Sequence, residues 1–308
     1  MIVTSVTVRV PAKINLQLTV GPLRPDGYHS LVTVFHAISL FDEVAVRPAD
    51  ADRVSVSGEG TGLVPEDDDN LALRAVRALR AEQRRRGAAV GDGVAVSISK
   101  RIPVAGGMAG GSADAAAALV ACNELWGAGL SPAELCEVAG GVGSDVAFAL
   151  VGGTAVGRGR GEQLTPALAA PGRYHWVIAL ADGQLSTPTV YGELDRMRGD
   201  DAVAEPGLSA PLMSALRARD AARLGPELAN DLQAPAISLF PALSRTLSAG
   251  REFGALGSLV SGSGPSCFFL ARDADHASGL AVALSGAGVC RSVASATGPA
   301  PGATLVAS

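Results

Sequence analysis

Lysine is nearly missing from this chain. Of 25 lysines and arginines in 308 residues, two are lysines, Lys13 and Lys100. Arginine has taken almost every place where a surface cation would serve. A lysine kept in such a background points to chemistry that a guanidinium cannot mimic, since the ammonium is a compact point charge. Aromatic residues are also sparse, at 4%, and the net charge is −5. Apart from Arg84 to Arg86 and the acidic run Glu66 to Asp69, no block of like charge exists. A nucleic-acid surface wants clustered cations and interleaved aromatics, so that partner class is excluded. The cysteines, Cys122, Cys136, Cys267 and Cys290, show no C-x-x-C spacing and no nearby histidines. They read as reduced thiols, neither a metal site nor a disulfide framework. No run reaches the roughly 18 apolar residues of a membrane span. Residues 1–10 alternate apolar and polar without the apolar core of a secretory signal. The expectation is a soluble cytoplasmic protein with no membrane partner.

What the chain has is glycine in one telling place. Pro103-Val-Ala-Gly-Gly-Met-Ala-Gly-Gly-Ser-Ala-Asp114 follows a strand-like alternation, Val94 to Ile102, and precedes an alanine-rich helical run, Ala113 to Trp126. The first turn of a helix carries N–H groups without intrahelical partners, and the macrodipole adds partial positive charge there. Gly106, Gly107, Gly110 and Gly111 would let the backbone approach an anion with no Cβ in the way. The stretch is a candidate phosphate cradle. It has no G-K-[ST] ending, which argues against a P-loop, and no G-x-G-x-x-G spacing, which argues against a dinucleotide fold.

Along the rest of the chain, Thr4 to Val10 and Pro11 to Leu18 read as two extended pieces. Lys13 and Asn15 share a face by the period-two rule, either a pocket floor or an ordinary edge. Pro25-Asp-Gly27 is a turn that delivers Tyr28 and His29 to a strand, Leu31 to Leu40. Phe41 to Ser57 suggests a strand pair broken at residues 48–52. A helix is expected over Asn70 to Arg86 with Asp69 or Asn70 as N-cap, and another from Ser131 to about Gly140 with a capping serine and proline at its first position. Asp145 stands in a glycine-flanked segment just before an apolar run. A carboxylate there is expensive to bury unless paired or used, and Lys13 would suit it. The plainer reading, an N-cap aspartate on residues 146–150, is compatible. Leu164 to Arg173, rich in alanine and proline, marks a boundary between domains 1–170 and 171–308. The second half reads as a strand at His175 to Ala181, a helix from Ser186, an irregular segment from Gly199 to Leu208, and helices over 209–216, 220–227, 230–234 and 241–250. A strand, glycine turn and strand over 258–270 follow, then a helix over 275–285 and a strand over 289–296. This is an α+β layer with an antiparallel sheet.

Three separated pieces, Pro11-Ala-Lys-Ile-Asn15, the loop Pro103 to Ser112, and Ser261-Gly-Ser-Gly-Pro265, together resemble the GHMP small-molecule kinases. The resemblance spans nearly the whole chain. It implies a two-domain α+β fold, an N-terminal ribosomal protein S5 domain 2-like domain and a C-terminal ferredoxin-like domain, with ATP and Mg2+ as cofactors. It implies Lys13 and Asp145 as the catalytic pair. It places Pro103, Val104, Ala105, Gly106, Gly107, Met108, Ala109, Gly110, Gly111, Ser112 and Ala113 around the ATP phosphates, and Asn70 near the adenine. The metal ligands stay unassigned, with Ser112 as a candidate. Arg24-Pro-Asp-Gly-Tyr-His29 and Gly143-Ser-Asp-Val146 resemble the branch of the family whose acceptor is a cytidine diphosphate-linked methylerythritol. On that likeness Tyr28, His29 and Tyr191 would hold the cytosine, and Asn15, Thr187 and Asp145 would contact the acceptor. A sister kinase acting on homoserine, mevalonate or a sugar, and a silent ligand-binding member of the fold, are the alternatives. Either a monomer or a homodimer is compatible. Asp114 departs from the family pattern, which has asparagine there. It would weaken ATP binding or join the metal site unless it faces away.

Overall fold

The computed structural model describes residues 5–88, 90–91, 93–167 and 172–306. Its first half is built from β1 Val6–Leu23, β2 His29–Ala49, β3 Arg53–Gly58, α1 Leu71–Arg85, β4 Gly93–Lys100, α2 Gly110–Leu125, α3 Pro132–Gly140, α4 Val146–Val151, β5 Thr154–Gly159 and β6 Gln163–Pro166. Its second half holds β7 Tyr174–Leu180, α5 Thr187–Arg198, α6 Ala210–Ala218, α7 Ala221–Leu224, β8 Ala229–Asn230, α8 Gln233–Leu239, α9 Ala242–Glu252, β9 Gly257–Val260, β10 Cys267–Ala271, α10 Ala274–Gly286, β11 Ser292–Gly298 and β12 Thr304–Leu305.

The long β1–β2 hairpin is the spine. Its two strands pair from Val6 with Val46 to Leu23 with His29, and register shifts interrupt the ladder at Pro11/Ala12, Asn15/Gln17 and Val20/Leu23. The pieces expected at 4–10 and 11–18 are therefore one strand bent at a bulge. A bulge is where a proline that cannot donate to the ladder is tolerated. The break expected at 48–52 does fall between β2 and β3, but the two strands it separates do not pair with each other. Residues 41–49 continue β2, and β3 pairs in parallel with β4. Nothing between Leu40 and Phe41 has turn chemistry, so the strand had no reason to stop there.

The first sheet runs β12-β1-β2-β4-β3, with β5 beside β2, β6 beside β5 and β8 beside β1. Its inner face is a row of valines and isoleucines against α2, whose Ala113 and Ala115 to Ala118 are buried. Small side chains around the whole circumference let this helix run through the centre, between the sheet and α1. α2 begins three residues before the expected Ala113, so Gly110 and Gly111 form its first turn. The second sheet, β11-β7-β10-β9, is wholly antiparallel, as expected. Three short strands have no counterpart in the expected order, β6, β8 and β12, all in the first sheet. β8 replaces the start of the helix expected over 230–234, and β12 returns to β1 in the first sheet. Two-residue bridges carry no periodicity to read.

Ser131 and Glu134 form the capping box of α3, and Asn70 caps α1. The boundary expected at residue 170 lies outside the described residues. Residues 199–208 hold no regular element, although Gln17 Nε2 donates to the Gly207 carbonyl at 2.7 Å. Among the described residues no helix is long and apolar enough to cross a membrane, and all four cysteines are free.

Candidate active site

A cavity of about 500 Å³ opens where three segments meet. Each comes from a different part of the chain: the bent middle of β1, the glycine loop before α2, and the turn between β9 and β10. The Lys13 backbone amide donates to the Met108 carbonyl at 3.3 Å. Ser261 Oγ donates to the Gly107 carbonyl at 3.1 Å. A Cβ built on Gly262 would lie 3.1 Å from the Gly107 oxygen and 3.5 Å from Lys13 Nζ. The three motifs are thus in mutual contact, and glycine at 107 and 262 is what lets them close.

Lys13 sits at the centre of this contact, 8% exposed. Its ammonium donates to Asn15 Oδ1 at 2.8 Å. Asn15 Nδ2 donates to Thr33 Oγ1 at 2.8 Å, and Thr33 passes the chain on to the Gln17 carbonyl at 2.7 Å. With both ends of Asn15 used, the lysine stem has one rest position. On its other side Lys13 Nζ lies 3.7 Å from Asp145 Oδ2. Asp145 is the first residue before α4, but its side chain makes no cap bond to that helix. Its carboxylate is free to face the cavity. The ammonium attracts the carboxylate at this distance, and Asp145 keeps lone pairs free to take a proton from a third group.

The glycine loop forms one wall. Pro103 to Gly107 and Ala109 to Ser112 line the cavity, whereas Met108 and Ala113 turn into the core at 1% exposure. α2 starts at Ala109 with φ 57 and no side chain capping it. The first intrahelical bond of its amides is from Ala113 to the Ala109 carbonyl. The preceding N–H groups are therefore open to an anion, the electrostatic signature of a phosphate site. Asn70 does not line this cavity. Its amide is spent on Ala72 N at 2.9 Å and the Pro65 carbonyl at 2.7 Å.

Opposite the loop is an aromatic end. His29 Nε2 lies 2.9 Å from Asp195 Oδ1, and its ring stacks on Tyr191 with centroids 5.3 Å apart. Tyr191 and Asp195 are one helical turn apart on α5, so one face of that helix fixes the imidazole. Tyr191 lines the cavity; His29 stands behind it. Burial raises the Tyr191 hydroxyl above its ordinary range, with Asp145 and Asp231 adding to the effect. Tyr28 is half exposed at 53%, with the Arg160 guanidinium 4.7 Å from its ring centroid. Thr187, at the start of α5, shares a 2.9 Å hydrogen bond with Ser263 and so ties this end to the β9–β10 turn.

Asp114 neither faces outward nor stands alone. Lys100 Nζ donates to Asp114 Oδ2 at 2.7 Å and also to Asp42 Oδ2, while Asp42 Oδ1 accepts from the Ile102 amide at 2.8 Å. All three side chains are buried. Burial pushes the Asp114 carboxyl up to about 7; Lys100 opposes the rise and Asp42 adds to it. Burial pulls Lys100 down, but Asp114 and Asp42 outweigh it and leave it above its ordinary value. The cluster clamps the two ends of the glycine loop, since Lys100 closes β4 and Asp114 lies in the second turn of α2. Sequence reasoning noted Lys100 only as a scarce lysine and gave Asp42 no role. The scarcity of lysine directs attention to Lys13; Lys100 also lines this cavity.

The family models described as GHMP kinases N terminal domain and GHMP kinases C terminal match residues 70–153 and 212–290. The chain is 57% identical over 311 residues to the 4-diphosphocytidyl-2-C-methyl-D-erythritol kinase of Thermobifida fusca, covering 98% of this chain and 99% of that one. It is 55% identical over 302 residues to the enzyme of the same name from Streptomyces avermitilis, covering 98% and 100%. Among solved structures, a 4-(cytidine 5'-diphospho)-2C-methyl-D-erythritol kinase superposes with a TM-score of 0.74 at 34% identity, over 94% of this chain and 98% of that one. A homoserine kinase from Cytophaga hutchinsonii superposes with a TM-score of 0.73 at 21% identity, over 99% and 98%, and shares the fold.

Proposed function

The chain belongs to the GHMP kinases, and on that premise we propose that it uses ATP to phosphorylate the 2-hydroxyl of 4-diphosphocytidyl-2-C-methyl-D-erythritol. The relatives above 50% identity carry that enzyme's name over their full length, which favours it over a homoserine, mevalonate or sugar kinase. One observation carries the chemistry: the Lys13–Asp145 pair, 3.7 Å apart, faces the same cavity as the uncapped start of α2.

ATP supplies the phosphoryl group, and the open amides of the first turn of α2, with Gly106, Gly107, Gly110 and Gly111, suit its phosphates. Asp145 takes the proton from the acceptor hydroxyl. Lys13 orients Asp145 and offsets charge on the attacking oxygen. The Asn15–Thr33 chain holds Lys13 in place for both tasks. Tyr28, His29 and Tyr191 serve the cytosine, with Tyr191 facing the cavity and His29 stacked behind it, and Thr187 and Asn15 steer the acceptor. Positioning and electrostatics carry the rate, as in phosphoryl transfer generally. Among the described residues no group of three His, Cys, Asp or Glu could hold a metal ion. Mg2+ would come with ATP, held chiefly by its phosphates, and the Ser112 hydroxyl, which lines the cavity, is a candidate ligand. Either a monomer or a homodimer is compatible with this reading. The place of action is the cytoplasm.

The test is ATP consumption with the cytidyl acceptor by wild type and Asp145→Asn. Wild type turns over, and the variant loses about 10²–10⁴-fold in kcat. An inactive wild type, or a fully active variant, would sink the reading.

A further inference from the structure

We propose that Arg160 binds the diphosphate of the acceptor, with the ring of Tyr28 as the platform that holds its guanidinium. The inference rests on the function proposed above and extends it to a residue that the family motifs do not include.

Charge accounting in the cavity points to it. Three cations line the wall: Lys13, Lys100 and Arg160. Lys13 is paired with Asp145, and Lys100 is shared by Asp42 and Asp114. Arg160 makes no ion pair among the described residues. The nearby acid Glu162 accepts at Oε2 from the Arg160 backbone amide at 2.6 Å and makes no ion pair with the guanidinium. A cavity that must hold two polyphosphates therefore keeps one cation unneutralised.

The geometry says which polyphosphate it serves. The donor end is served by the backbone amides of α2. Arg160 lies in the turn between β5 and β6, whose glycines at 159 and 161 have φ 72 and 104 and hold it tight. β5 runs beside the His29 end of β2, with Gly159 opposite Leu31. The guanidinium then rests 4.7 Å from the centroid of Tyr28, in the same turn that carries His29. Stacking uses the face of a guanidinium and leaves its N–H edge free, and that planar fork matches phosphate oxygens. An acceptor with its base at the aromatic end and its hydroxyl at Asp145 presents its diphosphate between them, beside Arg160.

The experiment compares inhibition of the full chain by cytidine and by CDP, against the cytidyl acceptor, in wild type, Arg160→Ala and Arg160→Lys. Wild type prefers CDP. Arg160→Ala weakens CDP by about tenfold or more, the loss expected of a charge-assisted hydrogen bond. It leaves cytidine within about twofold and the KM for ATP unchanged. Arg160→Lys restores part of the preference, which a merely structural residue would not show. An unchanged CDP-to-cytidine ratio in Arg160→Ala overturns the proposal, and so does a raised KM for ATP with the ratio intact. A wild type that neither turns over the cytidyl acceptor nor binds CDP overturns the function itself. One that does both while the ratio stays fixed overturns only the role of Arg160.

Discussion

Gly107→Ala is the most direct test of how the three motifs close. Gly107 has φ +75, and a Cβ built on it would lie 2.0 Å from the Ser261 carbonyl oxygen and 3.1 Å from the Gly264 nitrogen. Both neighbours are backbone and cannot swing aside. Restoring even a 3.0 Å separation moves the loop by about 1 Å, and a misplacement of that order costs about 10²-fold in rate. The same movement drags Met108, whose carbonyl accepts from the Lys13 amide, and so disturbs the reacting pair. Left-handed strain adds about 1–2 kcal/mol to the cost in stability. Gly127→Ala separates the two effects. Gly127 has φ +59 with nothing within 4 Å of an added Cβ, so it carries the strain without the collision. ADP release with ATP titrated should show kcat/KM for ATP down about 10²-fold in Gly107→Ala and unchanged in Gly127→Ala. Both should melt lower, by about 2–4 °C for each 1 kcal/mol lost. If Gly107→Ala keeps its kcat/KM within about threefold while Gly127→Ala behaves as described, the loop does not need this closure and the reasoning fails.

Lys13→Met should lose about 10²-fold or more in kcat with the fold intact, measured in single turnover; retained turnover would leave Lys13 a structural role. Asp114 is raised from 3.8 to about 7 in the fold. An acid whose proton is held more tightly in the native state contributes stability that falls as pH rises from about 3.8 to about 7. Asp114→Asn, which cannot ionise, should therefore gain on wild type between pH 4.5 and pH 8.5 in denaturant melts; an equal difference at both would refute the assignment. His36 has the opposite sign. It is fully buried and lowered by burial from 6.5 to about 3, so its contribution is complete above pH 6.5 and is lost as pH falls toward 3. His36→Asn should flatten that acid limb of the stability curve, and an unchanged limb would place the acid sensitivity elsewhere.

Local chemistry was written plainly in the chain. Ser131 with Pro132 and Glu134, and Asn70 before Leu71, act within a few residues, so these caps and their helices could be read directly, and the glycines before α2 mark a candidate anion cradle in the same local way. The scarcity of lysine directs attention to Lys13, one of the two ammonium groups that line the cavity. Spacing also put Lys13 and Asn15 on one face, because both lie between two bulges. What spacing could not reach were contacts made across hundreds of residues. Gln17 holding residues 207 and 209, β12 closing on β1, and Arg160 over Tyr28 are pairings between segments that carry no mark of one another. Asp114 is the sharpest case. In the sequence it is an unexplained negative charge beside a phosphate loop. Only the folded chain brings Lys100 and Asp42 to it, because the end of β4, the interior of β2 and the start of α2 that carry them meet in space alone. The chain determines by itself which short segments can bind an anion or hold a proton acceptor. The tertiary structure decides which charges those segments meet, since the energy of a charge depends on its burial and partners.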